Sequence, residues 1–140
     1  MKRLIDRLGL GEEFQIGSVV PLKVRELVTH LDIHDQIKVL TSAEMWRRGK
    51  VPKKYVSYAQ TKTPNLDMVH FMTWQQSKEA GIIEELDSGI TPDKVHPIHA
   101  TLNLYSNRFS ITDGITRIRI FNQRGIEYIP TKLFLDYHAY

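Results

Sequence analysis

A chain of 140 residues, 41% hydrophobic and 25% charged, has the size and balance of one compact domain and excludes a disordered, collagenous or coiled-coil polymer. Lys and Arg number 19 against 16 Asp and Glu, a formal +3 that demands no polyanionic partner. The absence of cysteine removes disulfides, thiolate nucleophiles and Cys-based zinc sites, and no uncharged apolar run nears the roughly 18 residues of a membrane span.

In chain order, Leu4, Ile5 and Leu8 share one helical face, which predicts a short amphipathic helix ended by Gly9 and Gly11. Asp6 and Arg7 interrupt any signal-peptide apolar core, so a cytoplasmic protein without a membrane partner is expected. Phe14 to Leu22 reads as a strand weakened at its end by Pro21, and Val24 to Leu31 as a short helix. Ile33 to Leu40 is ambiguous. Thr41-Ser42-Ala43-Glu44 has the pattern of a capping box, a helix start that Gly49 and Pro52 would stop, and Pro52 to Thr61 allows another helical turn or two. Asn65 to Ala80 gives the clearest helical period, with Gly81 expected to close it, and Ile82 to Pro92 reads as an acidic, turn-rich connection.

The last third alternates. Ile98, Ala100, Leu102 and Leu104 predict a strand over Val95 to Tyr105, Ser106-Asn107 a two-residue turn, and Arg108 to Thr112 the returning strand. Asp113-Gly114 breaks it, Ile115 to Arg124 forms a helix that Gly125 terminates, and Ile129 to Leu135 forms a final strand that tolerates Pro130 near its start. This order is an α+β or α/β signature, without internal repeats.

The turn at Gly114 carries the chemistry. A glycine lets a strand bend sharply into a helix and a ligand approach the backbone. The first helical turn offers unpaired N–H groups, to which Thr116 adds a hydroxyl and Arg117 a cationic fork suited to phosphate oxygens. Together Gly114, Thr116 and Arg117 make a small anion site. Arg119 points about 200° away from Arg117 around the helix, so the two need not serve one ligand.

The ordered set Asp113, Gly114, Arg117, Gly125, Ile129 and Pro130, with His96-Pro97-Ile98 upstream, resembles the core of the ParB/sulfiredoxin superfamily. Val20-Pro21-Leu22 looks like its opening strand, and Gln75 to Gly81 fits the helix that precedes the hairpin. The resemblance covers about 16–24 and 75–135. It implies a single domain, 1–140, of α+β class: a small mixed sheet flanked by helices, with about 32–74 a helical insertion lacking a counterpart. It also implies that the Gly114 turn holds nucleotide phosphates. The chain departs from the family where sulfiredoxins carry a catalytic Cys, which excludes their chemistry. It departs again where ParB-type sequences place Glu-Arg after the glycine; Ile115-Thr116 stand there instead, which leaves a degenerate, noncatalytic pocket open.

Other residues invite chemistry. Arg47, Arg48, Lys50, Lys53 and Lys54 put five cations within eight residues, a candidate nucleic-acid contact or a solvated helix end, with Trp46, Trp74, Tyr55 and Tyr58 as candidate base-stacking neighbours. His30 and His34 stand one helical turn apart without a visible third ligand, so no metal site is expected. Asp113 and Asp32 are candidate bases or metal ligands; the resemblance extends to free-serine kinases that use a carboxylate soon after the first strand as base, a place that Glu26, Asp32 or Asp35 could occupy. Glu84, Glu85 and Asp87 read as a solvated acidic loop, and His96 and His99 as structural. These features suggest a ParB-like module binding a nucleotide or nucleic-acid phosphate in a DNA-related process, with Mg2+ accompanying a nucleotide. The alternatives are a phosphotransferase or phosphodiesterase of the same fold, or a noncatalytic interaction scaffold.

Overall fold

The computed structural model describes residues 3–11, 13–40 and 68–137. They form α1 (Leu4–Arg7), β1 (Val19–Lys23), α2 (Val24–Thr29), α3 (Ile33–Leu40), α4 (Met68–Asp87), a 3₁₀ turn (Pro92–Lys94), β2 (Ile98–Asn103), β3 (Arg108–Asp113), α5 (Ile115–Gln123) and β4 (Tyr128–Asp136). The fold is mixed α+β, with one four-stranded sheet in the order β1-β4-β2-β3. β4 runs antiparallel to β1 and parallel to β2, and β3 pairs antiparallel with β2. Among the described residues no helix is long and apolar enough to cross a membrane.

Alternation decides which face is buried. Ile98, Ala100 and Leu102 of β2, Ile129 and Leu133 of β4 and Phe109 of β3 are almost fully covered, and they meet Leu27 of α2 and Ile118 and Phe121 of α5. Burying side chains of this size is worth about 1.5–3 kcal/mol each. α5 packs centrally, touching α2, α3 and α4. The other face of the sheet carries Lys132, Phe134, His99 and Thr101, all half-buried.

Pro130 sits inside β4, between two neighbours, without breaking a ladder. Val24 N–H donates to Glu127 O and Leu133 N–H to Ser18 O, so Val20–Thr131 and Leu22–Ile129 are the hydrogen-bonded pairs. Pro130 therefore faces Pro21 in a pair that exchanges no bonds, and pairing with β2 begins only at Thr131. The same register turns the missing donor of Pro21 outward, onto the free edge of β1.

Several boundaries differ from expectation. The first strand begins at Val19 rather than Phe14, because Gly17 adopts a φ of 86° and turns the chain so that its N–H reaches Leu133 O at 2.7 Å. α2 ends at Thr29: Leu31 leaves the helix to bridge Phe109, while His30 O accepts Phe109 N–H and Asp32 N–H donates to Phe109 O. α4 runs through Gly81 to Asp87, since half-buried Ile82, Ile83 and Leu86 hold the helix beyond a glycine that alone costs about 1 kcal/mol against alanine. The hairpin turn has four residues, Leu104 to Asn107, rather than two. The Asn103 side-chain oxygen accepts from Tyr105 and Ser106 N–H, and Asn107 takes a φ of 54°.

α5 and its caps follow the sequence. Gly114 precedes it, and Gly125 follows with a φ of 67°. Ile126 N–H reaches Phe121 O and Gly125 N–H reaches Asn122 O, the paired bonds of a Schellman cap.

Candidate functional site

Between His99 and Ala100 the pairing of β2 with β3 slips, so that Thr112 is an extra residue and Asp113 comes opposite His99. The chain then turns at Gly114, whose φ is 111°. A Cβ there would drive into the side chain of Ile98, 2.7 Å from its Cβ, so strand and helix approach closely only because residue 114 has no side chain. The first helical bond runs from Ile118 N–H to Gly114 O, leaving the amides of Ile115, Thr116 and Arg117 at the positive end of the helix.

Arg117 folds back over this turn. Its Nη1 donates to His96 O and its Nη2 to Asp113 Oδ2, each at 3.1 Å. The guanidinium is mostly covered, with its side chain 13% exposed, whereas the Asp113 side chain is 60% exposed. The structure thus brings Gly114, Arg117 and Asp113 together, and Asp113 already supplies an anion to the guanidinium. Thr116 is buried at 7% exposure.

Arg119 faces the other way and is structural. Its Nε and Nη2 donate to Lys38 O at 3.2 and 2.6 Å, at the carbonyl end of α3, and its Nη1 meets Glu79 Oε1 of α4 at 3.0 Å. One side chain ties three helices.

Asp32 and Asp35 lie away from the Gly114 turn, against the outer edge of β3. Asp32 Oδ1 accepts Asp35 N–H at 3.0 Å and so caps α3, and Asp35 Oδ2 accepts Ile111 N–H at 2.9 Å. Burial pushes the Asp35 carboxyl up to about 6; the Ile111 N–H opposes this, the Asp32 charge adds to it, and Lys38, 4.0 Å away, opposes it again. Asp32 and Asp113 are therefore not parts of one carboxylate pair: the first belongs to α3's cap, the second to Arg117.

His30 ends α2 and His34 lies in α3, so the helical spacing read from the sequence is not realised. His30 Nδ1 donates to Glu26 O, and Arg7 Nη2 donates to His30 Nε2. Among the described residues no group of three metal-ligating side chains is present. Glu84, Glu85 and Asp87 stand on α4 rather than in a loop, and Asp87 pairs with Arg124 at 3.0 Å. Arg47, Arg48, Lys50, Lys53 and Lys54, with Trp46, Tyr55, Tyr58 and the Thr41 capping box, lie outside the described residues, as does the side chain of Trp74.

Sequence reasoning missed the row that crosses the sheet beside this turn. Asp113 pairs with His99, and His99 with Lys132, while Phe134 stands two residues along β4 from Lys132. Only the alternation of β4 hinted at it.

No family model, curated protein or solved structure matches the chain.

Proposed function

We propose that the chain is a ParB/sulfiredoxin-like module that binds the phosphate of a nucleotide or nucleic acid at the Gly114–Arg117 turn. The observation that carries this reading is a left-handed glycine at the head of a nine-residue helix with a guanidinium folded over it. Asp113 stands where a phosphate oxygen would sit, and a ligand binds by exchange. An ion pair whose acid is this exposed is worth only about 0–1 kcal/mol, whereas phosphate accepts charge-assisted bonds from both Arg117 and the helix amides. Arg117 keeps its bond to His96 O as the pivot.

This reading gives Asp113 a role opposite to that of a catalytic base. In a thermal-shift screen of nucleotides with and without Mg2+, a ligand at 100 times its Kd raises stability by about 2.7 kcal/mol. Arg117→Ala weakens it by roughly tenfold or more. Asp113→Asn tightens binding, because the competing charge is gone. Loss of binding in Asp113→Asn would instead favour a carboxylate that serves metal or substrate, as in a phosphotransferase or phosphodiesterase. Absence of any nucleotide shift would favour a noncatalytic scaffold, a reading supported by the engagement of both terminal nitrogens of Arg117.

A further inference from the structure

The face of the sheet opposite the helices sets aromatic and cationic side chains next to one another. Lys132 Nζ lies 5.8 Å from the centre of the Phe134 ring, and the His99 ring is 6.4 Å from Phe134 and tilted by 50°. Toward the start of β4, Lys23 pairs across the strands with Tyr128, which is 43% exposed. Tyr128 and Phe134 are six residues apart on one face of one strand, roughly 20 Å, and each has a lysine beside it. Past Tyr128 the surface continues as a largely apolar groove of about 440 Å3 lined by Val19, Pro21, Pro92, Pro130 and one acid, Asp93. Exposed Arg108 adds a third cation at the far side of the sheet.

Lys23, Lys132 and Arg108 have no carboxylate partner among the described residues. The nearby acids are Asp113, held by Arg117, Asp136, with Asn103 Nδ2 at 3.4 Å, and Asp93 at the groove, which is bonded to Thr91. The face thus offers the exposed ring of Tyr128 and the half-buried ring of Phe134, which packs beside Gly17, for stacking, and three cations without a carboxylate partner for phosphates. A strand from another chain is a poor occupant, since Pro21 removes the central outward donor of β1, and Leu31 and Asp35 cover the outer edge of β3.

We propose that this open face binds single-stranded nucleic acid, with bases stacking on Phe134 and Tyr128 and phosphates meeting Lys132, Lys23 and Arg108. Duplex bases already have both faces stacked, so a platform of rings selects unpaired strands. The inference does not rest on phosphate binding at the Gly114 turn.

The test is fluorescence anisotropy of the full chain with a labelled oligodeoxythymidylate and with a duplex of equal length, at about 50 and about 200 mM salt. Saturable binding of the single strand, weakened by salt and tighter than the duplex, is expected. Tyr128→Ala and Phe134→Leu each lower affinity by roughly tenfold, and Lys132→Ala reduces the salt slope by about 0.7. Tyr128 and Lys132 lie outside the packed core, so their variants keep the test sharp if Phe134→Leu fails to fold. Absence of binding, a preference for duplex, or binding indifferent to Tyr128→Ala and Lys132→Ala would overturn the platform. So would an oligonucleotide that is lost only with Arg117.

Discussion

Gly114 and Gly125 both adopt left-handed backbone, yet they differ in what surrounds them. Nothing lies within 4 Å of a Cβ built at Gly125, so Gly125→Ala meets only the conformational cost of about 1–2 kcal/mol. At Gly114 the added atom also collides with Ile98, and Gly114→Ala is expected to cost about 3 kcal/mol or more by denaturant midpoint. Equal losses at the two sites would mean that the close approach of Ile98 is of no consequence. Asp35 gives the residue-scale pH dependence. Its folded carboxyl sits near 6 against an ordinary 3.8, so between those values the folded chain holds a proton that the unfolded chain has lost. Stability from this group is therefore greatest below about pH 4, falls as pH rises to 6, and is lost above it, by up to roughly 3 kcal/mol. Asp35→Asn keeps an acceptor for Ile111 N–H and removes the titration. Urea midpoints at about pH 5 and about pH 7.5 should differ less in the variant than in the parent, and an unchanged difference would show that Asp35 does not titrate there.

Elements are joined by side chains that reach far along the chain. Arg119, 3% exposed at its side chain, connects α5 to the end of α3 and to Glu79 of α4. Arg119→Met would leave a largely covered carboxylate and an orphaned helix carbonyl, with an expected loss of about 3 kcal/mol. Lysine should not rescue it, since a single ammonium cannot hold both partners as the fork does. Glu79→Gln keeps an acceptor and should cost about half as much, as chemical denaturation would reveal. The ends of α5 were legible in the sequence because glycine punctuation acts locally: Gly114 and Gly125 are both where the sequence puts them. Gly81 misled for a tertiary reason, as Ile82, Ile83 and Leu86 bury against neighbours and carry the helix onward. The four-residue hairpin turn was hidden because Asn103, a strand residue, caps it from outside the turn.

At the scale of the molecule, one sheet face holds the core and the other is half-buried, while both edges are closed to strand addition by Pro21 and by the Leu31–Asp35 segment. Gly114 and Arg117 could be singled out from sequence, but not their setting. His96 reaches Arg117 across 21 residues, and Asp35 reaches Ile111 across 76. The meeting of His99, Lys132 and Phe134 depends on the strand order β1-β4-β2-β3, which no local pattern encodes. The exchange of Asp113 for phosphate is read most directly by amide chemical shifts during titration with inorganic pyrophosphate. Saturable shifts centred on Ile115, Thr116 and Arg117, lost in Arg117→Ala and reached at lower ligand concentration in Asp113→Asn, are the expected result. Amides of that first helical turn that stay still while resonances elsewhere move would contradict it.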